Sequence, residues 1–518
     1  MTRANGNRPA PDHQVAIIGA GLGGLGMAAA LKRINIQDFA IFERAEDIGG
    51  TWRDNTYPGI GVDIPVFAYQ FSYELKPDWS RFFPKGHEVK AYIDDYADTY
   101  GIRPHIRLNS EVRSRTWDEE DHLWRLDVGG EEVTARFVIS AIGPFVDPRP
   151  AEIDGLDDFE GKLIHSARWD HDYELAGKRV AIVGTGASAV QIIPSIAPEV
   201  ARLDVYQRTP IWVSPKFDPK IPAWMKRLFA RVPITERIAR QVASAVTEFV
   251  IVFMALNFSR FPFIVRGAER RNRRFLASQV EDPELRRKLT PDYGMGCKRP
   301  SISNSYLRAF NRDNVELVTE PIERVIERGI RTADGEEREV DALILATGFR
   351  LASDPENFRR TPVRGRDGFD LATEYERHRL KAYESISMPG LPNHFMIFGP
   401  YGWTGASWHV LVQTASTHIA RVLDEAYRRG ATFVEVSEQA TDRYHAKVLE
   451  RMEGSVWFSN ACEGANSYYF DHHGDVPYVR PSSGREAMRA ARGFPLSDYR
   501  YNSLRGSHEP AKRDEVAA

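Results

Sequence analysis

One glycine-punctuated unit occurs twice in this chain, and the repetition restricts the fold more than any other feature. In the first copy Val15 to Ile18 is a short apolar, β-branched run that reads as a buried parallel strand. Gly19, Gly21 and Gly24 follow, then apolar residues at helical spacing from Leu25 to Ile34, then a second strand from Phe39 to Phe42 that ends at Glu43. In the second copy Val180 to Val183 is the strand and Gly184 and Gly186 form the turn, with Ala189 in the third position. A helix runs to about Ile196, and Leu203 to Tyr206 is the next strand. Each copy is a strand–turn–helix–strand unit of the kind a dinucleotide site requires, and two of them imply two nucleotides. The fold class expected is α/β, with two Rossmann-like dinucleotide-binding domains and a helical insertion.

The chemistry of the two units differs. Gly19 allows the tight turn, Gly21 lets the backbone approach a pyrophosphate, and Gly24 lets helix and strand pack closely. The helix N-terminus then offers free N–H groups and partial positive charge to the phosphates. Glu43, 24 residues after Gly19, can accept hydrogen bonds from ribose hydroxyls and would repel a 2′-phosphate, so the first site suits FAD or NAD. At the equivalent place the second unit has Gln207-Arg208-Thr209. A cation and a hydroxyl suit a 2′-phosphate, so NADPH is expected there, with Thr185 and Ser188 in the turn and Lys298 as a second cation.

With 518 residues the chain is long enough for two or three domains, and 42% apolar with 27% charged residues describes a globular protein with a sizeable core. A balance of 69 Lys and Arg against 72 Asp and Glu offers no general attraction for nucleic acid. The two cysteines, Cys297 and Cys462, far apart in sequence, are expected to form neither a disulfide framework nor a Cys-x-x-Cys redox pair nor a cysteine zinc site, and no metal is expected. A reducing, cytoplasmic location follows, in keeping with the absence of an apolar stretch in the first thirteen residues. Between Pro215 and about Pro291 the pattern turns helical and charged, and Arg266 to Lys288 reads as a solvated helix face. Phe249 to Leu256 is too short to span a membrane and reads as a buried helix, although Arg237, Arg240 and Arg260 leave an interfacial helix open. The polar tail after about Asn502 is expected to fray.

A flavin reduced by NADPH must pass its electrons on. Reduction of a disulfide would need a cysteine pair beside the flavin, and none is expected in this chain, so oxygen or a dissociable electron carrier remains.

Here the sequence resembles a family. Residues 159 to 170, FEGKLIHSARWD, match FxGxxxHxxxW[P/D], the fingerprint of the type I Baeyer–Villiger monooxygenases, and lie between the two glycine motifs as in that family. Gly49-Gly50-Thr51-Trp52, Tyr57-Pro58-Gly59 with Asp63, Lys298-Arg299 and Ala346-Thr347-Gly348-Phe349 are similar to the same family. The resemblance implies FAD and NADPH as cofactors and a C4a-peroxyflavin that attacks a ketone with oxygen from O2, giving an ester or lactone. It implies Arg299 as the active-site cation, Asp63 as its partner, and Gly50, Thr51, Trp52 and Asp63 beside the flavin. Tyr57, Tyr69, Trp403 and Trp408 are further candidates for walls of the flavin pocket. His165 and Trp169 are implied to couple cofactor movement to domain closure rather than to act as a base. The implied domains are a discontinuous FAD domain, 1–145 and 347–518, and an NADP domain, 146–346, carrying the insertion at about 215–291.

Two departures stand out. Ser140-Ala141-Ile142-Gly143 occurs where Ala-Thr-Gly is frequent, and the Tyr401 to Gly405 loop is idiosyncratic, which leaves the preferred ketone open. Oxidation of sulfur or nitrogen nucleophiles, as main or side activity, is the nearest alternative. A non-catalytic nucleotide sensor is another, disfavoured because a sensor has no use for the Asp63, Lys298 and Arg299 set.

Overall fold

The computed structural model describes residues 10–405 and 407–504. Most of the tail expected to fray, and the first nine residues, lie outside them. Strand β1 (His13–Ile18) is flanked by β2 (Phe39–Phe42) on one side and by Glu131–Ser140 on the other, both parallel to it. Because neighbours cover both edges and helices cover the faces, Val15 to Ile18 are buried, which explains the unbroken apolar run. Helix α1 (Leu22–Arg33) follows the glycine turn. The full sheet has eight strands, and its later members, Val363–Arg364 and His394–Met396, come from the distal half of the chain.

The second glycine unit forms β3 (Arg179–Val183), α2 (Ala187–Ile196) and β4 (Arg202–Tyr206). These belong to a separate five-stranded sheet in the order Val315–Val318, β4, β3, Ala342–Leu345, Lys162–His165, parallel throughout. A mixed sheet and a parallel one, each with a glycine turn at the carboxyl end of a strand that has parallel neighbours on both sides, place two ligand-accepting edges in one molecule.

The insertion is helical: α3 (Ala223–Arg231), α4 (Pro233–Glu248), prolonged by a π-turn at Phe249–Phe253 to Leu256, and α5 (Pro262–Gln279). Two expectations need correction. Phe249, Val250 and Phe253 are exposed, although Val252 and Ala255 are buried, so the apolar stretch is not a buried helix. Its inward side is taken by Val252 and Ala255, while Phe249, Val250 and Phe253 are left outward.

The second correction concerns the cysteines. Cys297 and Cys462 form a disulfide, with Cα atoms 5.2 Å apart despite a separation of 165 residues. The loop at 294–297 lies against the loop at 456–462, where Gly294 N–H donates to the Ala461 carbonyl (2.7 Å) and the Trp457 indole donates to the Gly296 carbonyl (3.1 Å). Folding, not spacing, brings the pair together, so the argument from cysteine spacing to a reducing compartment lapses.

Candidate active site

Both glycine turns open into one cavity of about 2930 Å3. That is several times the about 300–1,000 Å3 of a site for one drug-sized ligand and leaves room for two dinucleotides.

On the first side, Gly19 has φ +103°, a conformation natural only to glycine, and turns the chain out of β1. A Cβ on Gly21 would lie 3.7 Å from the Gly50 Cα, so the two glycine backbones face one another at the cavity wall. Gly21 occupies the position just before helix α1 and supplies no side-chain cap, which leaves the first N–H groups of the helix available to an anion. Gly24 does not reach the cavity. A Cβ there would overlap the Gly19 carbonyl oxygen, so its role is the close packing of turn and helix. Glu43 lines the cavity, with its carboxylate held by the N–H groups of Ala20 (2.8 Å) and Ala45 (3.0 Å) and by Arg53 (3.0 Å). Gly50, Thr51 and Trp52 continue the wall, and the Trp52 indole donates to the Tyr69 hydroxyl at 3.0 Å.

On the second side, Gly184, Thr185, Gly186 and Ser188 line the cavity, whereas Ala189 is fully buried beneath the turn. The third position of this motif therefore lies in the packing of helix on sheet and does not line the cavity. A Cβ on Gly186 would meet nothing within 4 Å, which is the open cradle a phosphate needs. The Thr185 hydroxyl donates to the Thr209 carbonyl (3.0 Å), joining the turn to the end of β4. Arg208, Thr209 and Lys298 line the same wall. Burial, reinforced by the nearby charge of Arg208, pushes the Lys298 ammonium down to about 8. Two cations thus face one region with no acid between them strong enough to restore the ordinary value, and a dianionic group there would relieve the repulsion.

Asp63 and Arg299 meet across 236 residues. Arg299 donates from Nε to Oδ2 and from Nη2 to Oδ1, both at 2.8 Å, in a two-pronged ion pair. Burial alone would raise the Asp63 carboxyl, but the guanidinium more than offsets it and holds the group below the usual range. Burial would likewise lower Arg299, and Asp63 holds it above its ordinary value. Both side chains are reached from the cavity while lying deep in the protein, and Arg299 sits 5.5 Å from the Trp403 ring centroid. Its Nη1 makes no bond to a described residue and remains a donor for whatever enters. The disulfide at Cys297, two residues away, fixes the backbone from which Arg299 projects.

Tyr57, Tyr69, Trp403 and Trp408 all line the cavity. So do Tyr468 and Tyr478, which the sequence reading missed. Burial raises both phenols, keeping them neutral beside Arg299. The density of aromatics between Tyr468 and Tyr478 was the available signal. His165 ends its strand, and its Nδ1 accepts the Ala167 N–H at 3.1 Å, while burial keeps the ring neutral. The cysteine pair is buried and does not line the cavity, which removes it from any reaction there.

Residues 16–252 match the family described as pyridine nucleotide-disulphide oxidoreductase. A protein of Streptomyces coelicolor named Baeyer-Villiger monooxygenase is 38% identical over 94% of this chain and 92% of its own length. Another of that name, from Pseudomonas aeruginosa, is 40% identical over 91% of this chain and 86% of its own. Among solved structures, OTEMO in complex with FAD and NADP superposes with a TM-score of 0.83 at 26% identity, covering 95% of this chain and all of that one.

Proposed function

The chain belongs to the Baeyer–Villiger monooxygenases, enzymes that use FAD and NADPH to insert one atom of O2 into a ketone, and we propose that Arg299 and Asp63 are its catalytic pair. The observation that carries this reading is the two-pronged ion pair on the wall of the cavity that both glycine turns share. We place FAD against the β1–α1 turn, beside Glu43, Gly50, Thr51, Trp52 and Tyr69. NADPH belongs against the β3–α2 turn, with its 2′-phosphate between Arg208, Thr209 and Lys298. We assign the chain an FAD domain of 1–145 with 347–518 and an NADP domain of 146–346, a division that the two separate sheets support.

When bound, FAD reduced by NADPH supplies the activated oxygen. Arg299 presents fixed positive charge from Nη1, and a guanidinium cannot surrender that charge near neutral pH. Asp63 occupies the other edge of the fork, so the free edge is aimed rather than mobile. Trp52, Tyr69, Trp403 and Tyr478 form an aromatic wall that excludes water, and their low-dielectric surroundings strengthen the field of Arg299. Dependence on NADPH favours the cytoplasm as the working compartment.

Purified enzyme mixed with NADPH, O2 and a panel of cyclic and aryl ketones and sulfides is expected to consume NADPH and release ester or lactone. Sulfoxide as the sole product would instead assign the chain to oxidation of sulfur, and a yellow protein without turnover would make it a sensor.

The coenzyme site yields two further expectations. Arg208→Ala should raise the Michaelis constant for NADPH by about tenfold, the worth of one charge-assisted contact, and that for NADH far less. Equal losses with both coenzymes would remove the 2′-phosphate from this place. Lys298 is cationic below about pH 8 and neutral above it. The preference for NADPH over NADH should therefore decline as pH rises through that value, and Lys298→Met should flatten the decline. A preference that declines identically in Lys298→Met would refute the assignment.

A further inference from the structure

Helix α4 is turned inside out. The side that faces the body carries most of the polar side chains, with only the small Ala239 and Ala243 packed against the core among them: Gln70 donates to the buried Glu236 at 2.9 Å, Arg240 reaches the Gln70 carbonyl and Gln413, and Glu248 accepts the Gly484 N–H at 3.0 Å. The larger apolar residues face outward instead. Ile234, Ile238, Val242, Val246, Phe249 and Phe253, three or four positions apart, are each between 40% and 59% exposed. The row continues onto α5, because the rings of Phe249, Phe253, Phe261 and Phe263 succeed one another at 5.3, 6.1 and 6.2 Å. On α3, Trp224 is exposed as well. Single exposed apolar side chains are ordinary, but a continuous row over a helix with its polar side buried marks a contact surface.

Charge identifies what it contacts. Residues 223–280 hold eleven Lys and Arg against three acids, in a chain whose net charge is -3. All three acids are engaged internally, Glu236 and Glu248 as above and Glu269 by the Met295 N–H. Arg227, Arg231, Arg237, Arg260, Arg266 and Arg270 are exposed, and none makes an ion pair with a described residue. An apolar face bordered by unpaired arginines is the pattern of a helix lying in a lipid headgroup region. No described helix is long and apolar enough to cross a membrane. A second copy of this surface would bring arginine against arginine with no acid to meet them.

We propose that α3, α4 and the start of α5 dock the enzyme flat on an anionic phospholipid leaflet. The apolar row enters the boundary between headgroups and acyl chains, and the arginines bind lipid phosphates.

The test is co-sedimentation of the FAD-loaded full chain with vesicles of phosphatidylcholine alone or mixed with phosphatidylglycerol. Binding is expected to the mixed vesicles at low salt, to be weak without phosphatidylglycerol, and to be released by raised salt. Val242→Glu with Val246→Glu should lower the bound fraction more than tenfold, and each of Arg227→Gln, Arg231→Gln and Arg237→Gln should weaken the partition about fivefold. All of these positions are exposed and away from the cavity, so flavin absorbance and turnover in solution should be unchanged. Failure to bind the anionic vesicles, or binding indifferent to both sets of substitutions, would overturn the proposal. So would a dimer in equilibrium ultracentrifugation that Val242→Glu with Val246→Glu dissolves, because a second copy would then cover the face.

Discussion

Arg299→Ala is expected to retain FAD and lose ester formation by about a thousandfold or more, since even one preorganised donor toward developing negative charge is worth about 10²–10³ in rate. Reduction by NADPH should continue, so coenzyme consumption becomes uncoupled from product and hydrogen peroxide appears in place of ester. The same change leaves Asp63 without its partner. A carboxylate stranded in the interior destabilises by about 3–5 kcal/mol, and the opening of Asp63 to the cavity reduces that penalty here. A double variant, Asp63→Ala with Arg299→Ala, separates the effects: stability should recover while oxygenation does not. Arg299→Lys should remain poor, because an ammonium cannot hold both carboxylate oxygens and still present a donor edge. Ester formation at wild-type rates in Arg299→Ala would end the assignment of the pair.

Gly24→Ala should cost both stability and flavin. The added carbon would overlap the carbonyl oxygen of Gly19, which is backbone and cannot rotate aside. The start of α1 must move off β1, at a cost near the upper end of the about 1–3 kcal/mol of overpacking. The N–H groups it presents move with it, so the protein should purify without flavin absorbance and melt at lower temperature. Gly186→Ala is the matching control. Its Cβ meets nothing, so stability and FAD content should be kept while NADPH binding weakens, because the methyl fills space meant for a phosphate. If Gly24→Ala bound FAD normally, the packing role of that glycine would be wrong.

These two expectations rest on different kinds of legibility. The glycine units could be read directly, because a tight turn, a helix start and the following strand are set by residues within about thirty positions of one another. Glu43 and Arg208 could be read for the same reason, since each closes its own unit. The Asp63–Arg299 pair came from motif resemblance, and its two-pronged geometry from the fold alone. Local pattern placed Gly24 and Ala189 at the third position of their motifs and assigned Gly24 to the packing of helix on strand, but the burial of Ala189 beneath its turn came from the fold.

Sequence by itself determined the two nucleotide units, their difference in ribose chemistry and the helical nature of the insertion, all of which follow from periods and turns a few residues long. Tertiary structure decided which side of α4 meets the body, because that choice depends on Gln70, Gln413 and Gly484, far away along the chain. It likewise decided that Cys297 and Cys462 bond and that Tyr468 and Tyr478 join the cavity wall. The hydrophobic period specifies that a helix has two unlike sides, but only the partners supplied by folding specify which of them faces water.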